Sequence, residues 1–128
     1  MAEKRKVLII DDDEFTLDIY STLLTKQDCA IVLAREGRLG LSLARQCRPA
    51  AIILDLVLPE VGGLDVLREL KGTPETCDIP VFVLTNLASD ECQKTAKELG
   101  AEQYIIKTDM KPSEVWRCVA ASSRMSRS

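Results

Sequence analysis

Five short apolar runs recur along the chain, and each is rich in β-branched residues and nearly continuous rather than alternating. Such runs are typical of strands buried on both faces of a parallel sheet, where neither face meets water. The runs are VLII (7–10), AIVLA (30–34), AIILDL (51–56), VFVL (81–84) and YII (104–106). The pattern therefore predicts five buried strands.

Segments with helical spacing of apolar residues follow each run. They cover residues 14–26, 38–47, 63–71, 89–99 and 112–122. Ser89 or Asp90, Gly100 and Pro112 stand where helix starts and ends are expected. The predicted buried stripes are Leu17, Tyr20 and Leu24 with Phe15, Ile19 and Leu23 beside them, then Leu39, Leu43 and Cys47, and further along Cys92, Ala96 and Leu99, and Val115, Cys118 and Val119.

Strand and helix thus alternate five times, which predicts an α/β fold with a doubly wound parallel sheet and helices on both faces. No linker or low-complexity segment divides the chain. We therefore expect one domain over residues 1–128, with a core of about 5–122 and a frayed tail over 123–128.

Composition excludes several kinds of chemistry. The net charge is −3 and aromatic residues are few, so neither a basic field nor a stacking surface for nucleic acid is predicted. The chain has no histidine, which removes serine-type triads and makes a zinc site unexpected; the five cysteines are interpreted as small apolar residues in a reducing cytosol. The N-terminal apolar run is too short for a signal peptide or a membrane span, so we expect a cytoplasmic protein.

Polar residues end four of the five runs. Asp11 and Asp12 follow the first, Asp55 lies near the end of the third, Thr85 ends the fourth and Lys107 ends the fifth. Ligands of doubly wound sheets bind beyond the carboxyl ends of the strands, so these side chains are expected at one edge. Asp13 and Glu14 are interpreted instead as residues that start the first helix.

Repulsion between the carboxylates at this edge has to be relieved. Two carboxylates about 4 Å apart repel by about 4 kcal/mol at an effective dielectric of about 20. Carboxylate oxygens with room for water suit Mg²⁺, and Lys107 adds positive charge. Acids, a hydroxyl, a lysine and a metal favour phosphoryl transfer, and without histidine or a nucleotide loop the expected acceptor is a carboxylate of the protein.

The stretches KVLIIDDDEF, AAIILDLVLPEVGGLDVLREL, IPVFVLTNLAS and AEQYIIKTDMKPSEV together resemble the receiver domain of two-component response regulators, of the chemotaxis-regulator type, over about residues 5–122. The most specific is LDLVLPEVGG, where Pro59 and Gly63 follow Asp55 by four and eight residues. The resemblance implies a (βα)5 flavodoxin-like fold with strand order 2-1-3-4-5.

The resemblance also implies a metal site. Asp55 would be the residue that is phosphorylated. Asp11, Asp12, Asp55 and the backbone carbonyl of Val57 would hold Mg²⁺ or Mn²⁺.

Three further residues receive roles from the resemblance. Thr85 and Lys107 would bind the phosphoryl group. Tyr104 would be the aromatic switch that turns inward when Thr85 moves, although its position equally fits a half-buried core residue.

The implied function is that of a signalling switch, not an enzyme with a separate substrate. A sensor histidine kinase or a histidine phosphotransfer protein would donate the phosphoryl group. The surface of the fourth helix, fifth strand and fifth helix would then act on a downstream protein or a fused effector domain, or form a phosphorylation-dependent homodimer. No direct contact with nucleic acid or membrane is implied.

Three departures from the family pattern bear on these expectations. Thr108 stands where the family mostly has proline, so the isomer of the Lys107–Thr108 bond is open. Val57 and Leu87 are apolar beside the path of attacking water, and we hypothesise that they slow hydrolysis of the phosphoryl group. The segment EQYIIKT lacks the acidic pair that many regulators use for dimerisation.

Two alternatives stay open at this point. A haloacid-dehalogenase-type phosphatase also uses aspartate and Mg²⁺, and Asp11 and Asp13 have its spacing, but Phe15 stands where threonine or valine belongs. A receiver-like interaction module that takes no phosphate is the other alternative.

Overall fold

Ten elements alternate along the chain in the computed structural model, which describes residues 4–122 and 125. The strands are β1 (Arg5–Ile10), β2 (Cys29–Ala34), β3 (Ala51–Leu54), β4 (Val81–Thr85) and β5 (Gln103–Ile106). The helices are α1 (Glu14–Thr25), α2 (Gly37–Cys47), α3 (Gly63–Gly72), α4 (Asp90–Leu99) and α5 (Pro112–Ala120).

The five strands form one parallel sheet in the order β2-β1-β3-β4-β5, which confirms the predicted topology. Strands β1 and β3 are neighbours, and Ile10 lies opposite Leu54. Asp11 follows Ile10 directly, and Asp55 follows Leu54. The Asp55 amide donates a hydrogen bond to the Ile10 carbonyl at 2.9 Å. This register sets Asp11 and Asp55 side by side.

The core consists of two layers, one on each face of the sheet. Alternate strand residues point to opposite faces, so Leu8 and Ile10 belong to one layer and Val7 and Ile9 to the other. Helices α2, α3 and α4 cover the first layer, and α1 and α5 cover the second. Burial of each such side chain stabilises the fold by about 1.5–3 kcal/mol.

Helix α2 buries only part of the stripe that the sequence predicted, since Leu43 packs partly buried against the first core layer. Gly37, Gly40 and Ala44 are its buried residues, whereas Leu39 is 44% exposed. A Cβ at Gly40 would lie 2.5 Å from Ile10 Cδ1, so the glycine lets α2 approach β1 closely. The two faces share the same helical spacing, and close packing of the backbone selected the face with small residues.

The predicted starts of α4 and α5 are confirmed, whereas the burial of Phe15 and the end of β3 differ from the prediction. Ser89 caps α4 by accepting a hydrogen bond from the Cys92 amide at 3.1 Å, and Pro112 opens α5. Phe15, expected beside the buried face of α1, is 73% exposed, and β3 ends at Leu54, before Asp55.

The C-terminal tail is only partly described. Of the predicted tail, Met125 packs against the second core layer, and residues 123, 124 and 126–128 lie outside the described residues. Among the described residues, no helix has the length and apolar character needed to cross a membrane.

Candidate functional site

Three carboxylates meet at the carboxyl edge of the sheet. Asp11, Asp12 and Asp55 each offer an oxygen atom, and these atoms lie within 4.8 Å of one another. Asp11 and Asp55 are buried, with 2% and 6% exposure, while Asp12 faces solvent. The loops that follow β1 and β3 hold the cluster together, as the sequence predicted.

Lys107 supplies the positive charge of the site. Its Nζ lies 2.9 Å from Asp11 Oδ2 and 3.2 Å from Asp55 Oδ2. The residue follows β5, and its backbone amide donates a hydrogen bond to the Thr85 carbonyl at 2.8 Å, which extends the ladder between β4 and β5 by one step. From there the side chain reaches back across the edge of the sheet to the two buried carboxylates. The Lys107–Thr108 peptide bond is trans, which answers the question that the missing proline raised.

Burial and nearby charges shift the pKa values of Asp11 and Lys107. Burial raises the pKa of Asp11 to about 6, and the negative charge of Asp55 adds to that shift, against the hydrogen bonds from Lys107 and the Asp13 amide. Burial acts to lower the pKa of Lys107, but the hydrogen bond to Asp11 and the charges of Asp11 and Asp55 outweigh it and raise that pKa. A single ammonium therefore only partly compensates two buried carboxylates.

The cluster has the chemistry of a divalent-cation site. Its donors are hard carboxylate oxygens, and the exposure of Asp12 leaves room for bound water. Mg²⁺ is normally held by one or two protein carboxylates together with several waters. The residues present thus fit Mg²⁺, and a cation would supply the positive charge that Lys107 alone does not.

Thr85 lies fully buried at the end of β4, at the same edge of the sheet. Its Oγ1 accepts a hydrogen bond from the Leu87 amide at 3.3 Å. Tyr104 is half-buried, and its hydroxyl donates a hydrogen bond to the Leu87 carbonyl at 2.6 Å. Leu87 therefore connects Thr85 to Tyr104 through its backbone.

Two apolar side chains stand at the rim of the site. Val57 is 58% exposed and Leu87 is 37% exposed. The Val57 amide donates a hydrogen bond to Asp55 Oδ1 at 3.1 Å, so one oxygen of Asp55 binds the loop while the other binds Lys107. Both residues that the sequence placed beside the path of attacking water border open solvent.

The structure confirms the interpretation of Asp13 as a helix cap. Asp13 Oδ1 accepts a hydrogen bond from the Phe15 amide at 3.2 Å, and Glu14 is the first residue of α1. Glu14 pairs with Arg35 at 3.8 Å on the surface, where such an ion pair contributes little stability.

Thr16 and Gly63 belong to the site, although the sequence pattern assigned neither of them a physical role there. Thr16 is buried, and its hydroxyl contacts both Asp13 and Lys107. A Cβ at Gly63 would collide with the Asp55 carbonyl and Leu56 Cα, so only glycine lets the start of α3 pack against the residue that follows β3. Thr16 follows the capping Asp13 by three residues, and this spacing could have indicated a contact between their side chains.

Comparisons with known proteins agree with this geometry. Residues 7–117 match the model of the response regulator receiver domain family. The chain is 34% identical over 103 residues to the polar-differentiation response regulator DivK of Brucella anthropi, a match that covers 80% of this chain and 84% of DivK. It is 35% identical over 107 residues to the probable transcriptional regulator ycf27 of Guillardia theta, and that match covers 84% of this chain but 41% of the relative.

A solved structure shows the same architecture. The Mn²⁺-bound form of the response regulator Rcp1 superposes with a TM-score of 0.79 and 25% sequence identity. The superposition covers 90% of this chain and 88% of that one. Of the two alternatives raised by the sequence, the family match leaves no support for the haloacid-dehalogenase type.

The raised pKa of Asp11 predicts a pH-dependent stability in metal-free buffer. The folded protein holds the Asp11 proton up to about pH 6, whereas the unfolded chain releases it near 3.8, so stability from this group is present at low pH and lost as the pH rises between those values. Asp11→Asn should therefore gain stability relative to the wild type over that range, by at most about 3 kcal/mol.

Urea unfolding at several pH values with a chelator present measures this difference, and Asp65→Asn, which changes an exposed carboxylate, is the control. Parallel stability curves for the wild type and Asp11→Asn would contradict the assignment.

Proposed function

The chain belongs to the response regulator receiver domain family, and we propose that it acts as a phosphorylation switch in a two-component phosphorelay, with Asp55 as the residue that is phosphorylated. The observation that carries this proposal is the meeting of Asp11, Asp12 and Asp55 with the Lys107 ammonium at one edge of the sheet. Neither histidine nor a nucleotide-binding loop is present in the sequence to serve as a different acceptor or donor site.

The metal of this site would be Mg²⁺ or Mn²⁺. Asp11, Asp12 and Asp55 would hold it together with the backbone carbonyl of Val57. When bound, the cation supplies positive charge that stabilises the phosphoryl oxygens during transfer. The hard oxygen donors and their mutual proximity support this assignment, as does the Mn²⁺-bound form of the relative Rcp1.

Transfer would use a carboxylate oxygen of Asp55 as the nucleophile. A phosphohistidine on a sensor kinase or phosphotransfer protein would be the donor. The new P–O bond forms as the P–N bond of the donor breaks, and the bonding electron pair returns to the donor nitrogen. Lys107, already 3.2 Å from Asp55 Oδ2, would then pair with a phosphoryl oxygen, and the Thr85 hydroxyl would donate a hydrogen bond to another.

The output would follow from a change at Thr85. Its Oγ1 now accepts a hydrogen bond from the Leu87 amide, and Tyr104 binds the carbonyl of the same residue. Movement of Thr85 toward a phosphoryl group would disturb both bonds and so change the surface of α4, β5 and α5.

A downstream protein, a fused effector domain or a second copy of the chain would bind that surface. The long ycf27 relative shows that this domain also occurs within larger regulators. The expected location is the cytoplasm, and the domain would catalyse only its own phosphorylation and dephosphorylation. Residues 1–128 would form one such domain.

Covalent labelling tests the proposal directly. Incubation with acetyl phosphate and Mg²⁺, followed by intact mass spectrometry, should add one phosphoryl group to the wild type and none to Asp55→Asn. Asp65→Asn removes an exposed carboxylate of α3 and should be labelled like the wild type. An unlabelled wild type would favour the interaction module that takes no phosphate, and undiminished labelling of Asp55→Asn would contradict the choice of acceptor.

Hydrolysis of the phosphoryl group should respond to Leu87. Its apolar side chain at the rim neither binds nor orients attacking water, so Leu87→Asn should accelerate dephosphorylation several-fold. Decay of the labelled species after removal of acetyl phosphate gives the rate. Leu33→Asn is a matched control, because Leu33 has a similar exposure on β2 away from the site. No change in Leu87→Asn, or a slower decay, would count against the hypothesis.

A further inference from the structure

Thr16 is a buried polar residue to which the proposed function gives no role. It lies in the first turn of α1, three residues after the capping Asp13, and it is 7% exposed. Its hydroxyl donates a hydrogen bond to Asp13 Oδ2 at 2.8 Å and accepts one from Lys107 Nζ at 3.1 Å. A hydroxyl has one proton, so donation to Asp13 leaves its lone pairs for Lys107.

Lys107 has an acceptor for each of its three N–H groups. The acceptors are Asp11 Oδ2, Asp55 Oδ2 and Thr16 Oγ1, at 2.9, 3.2 and 3.1 Å. The two carboxylates belong to the cluster that would hold a metal, whereas the threonine hydroxyl does not. Thr16 is also uncharged, so it fixes the ammonium without neutralising the charge that a phosphoryl group would meet.

Thr16 stands between Lys107 and a competing carboxylate. Asp13 Oδ2 lies 4.0 Å from Lys107 Nζ and belongs to a side chain that is 49% exposed. Without the hydroxyl, Asp13 is the remaining carboxylate near the ammonium besides Asp11 and Asp55 among the residues that the structure describes. A direct ion pair with Asp13 would draw it toward solvent and away from Asp55.

We propose that Thr16 is a positioning residue for Lys107, which holds the ammonium beside Asp55 and keeps it from pairing with Asp13. The inference rests on the proposed function, because its consequence for phosphorylation requires Lys107 to bind the phosphoryl group on Asp55. Displacement of a charged group by about 1 Å is enough to slow a positioned reaction substantially.

The Thr16 hydroxyl is not needed to cap α1. Asp13 caps the helix through Oδ1, which accepts from the Phe15 amide, while Thr16 binds Oδ2. The cap therefore does not depend on the Thr16 hydroxyl, and the two roles give different experimental results.

The first experiment measures the rate of Asp55 labelling by acetyl phosphate at saturating Mg²⁺. Labelling of Thr16→Val should be slower than that of the wild type by about tenfold. Thr16→Ala, in which no group replaces the hydroxyl beside Lys107, should be slowed similarly. Thr16→Ser retains the hydroxyl and should recover most of the rate. Thr25→Val removes a hydroxyl from the same helix, one that bonds only to the Ser21 carbonyl in the described contacts, and should label like the wild type.

Asp13→Asn in the Thr16→Val background separates positioning from packing. The asparagine can still cap α1, but it lacks the charge that would attract the ammonium. Positioning predicts that the double variant recovers part of the lost rate. A double variant as slow as Thr16→Val would contradict the competing role of Asp13.

A second readout uses the unphosphorylated, metal-free protein. The ¹⁵N and ¹H NMR signals of the Lys107 ammonium should exchange with water faster in Thr16→Val than in the wild type. Wild-type labelling rates and an unchanged ammonium signal in Thr16→Val would overturn the inference and leave the proposed function intact. An unlabelled wild type would overturn the proposed function, and the ammonium signal would still decide whether Thr16 positions Lys107.

Discussion

The ammonium of Lys107, held between the buried carboxylates of Asp11 and Asp55, is the interaction on which the site depends. It requires that β1 and β3 be neighbours in register and that β5 end at the same edge of the sheet. The positive charge makes burial of two adjacent carboxylates tolerable, but it does not compensate both. Burial raises the pKa of Asp11 to about 6, and the negative charge of Asp55 adds to that shift. A site with this remaining negative charge is suited to a divalent cation.

The parallel sheet, the two-sided core and the clustering of the aspartates could be predicted because each depends on patterns that the sequence carries strongly, whereas the strand order was implied only by the family resemblance. Continuous β-branched runs specify buried parallel strands, and residues that end such strands must share one edge. The face of α2 could not be predicted in the same way. Leucines and small residues both repeat at helical spacing there, and the close approach of Gly40 to Ile10 decided between them.

Contacts between distant side chains account for what the sequence did not show at the site. Thr16 looked like an ordinary helix residue, since its bond to Lys107 joins positions 91 residues apart. The backbone of Leu87, which links Thr85 to Tyr104, was equally invisible, because a main-chain carbonyl gives no signal in residue identity. The types of side chain in the sequence indicated which residues could take part in the site. The contacts between those residues depend on how the loops are arranged in the folded protein.

Calorimetric titration of Mg²⁺ into the metal-free protein tests most directly whether excess negative charge at this edge creates a cation site. Binding should be measurable for the wild type, weaker for Asp12→Asn, and stronger for Lys107→Gln, because the ammonium competes with the metal for Asp11 and Asp55. Asp65→Asn should bind like the wild type. Equal Mg²⁺ affinity in the wild type, Asp12→Asn and Lys107→Gln would contradict the account.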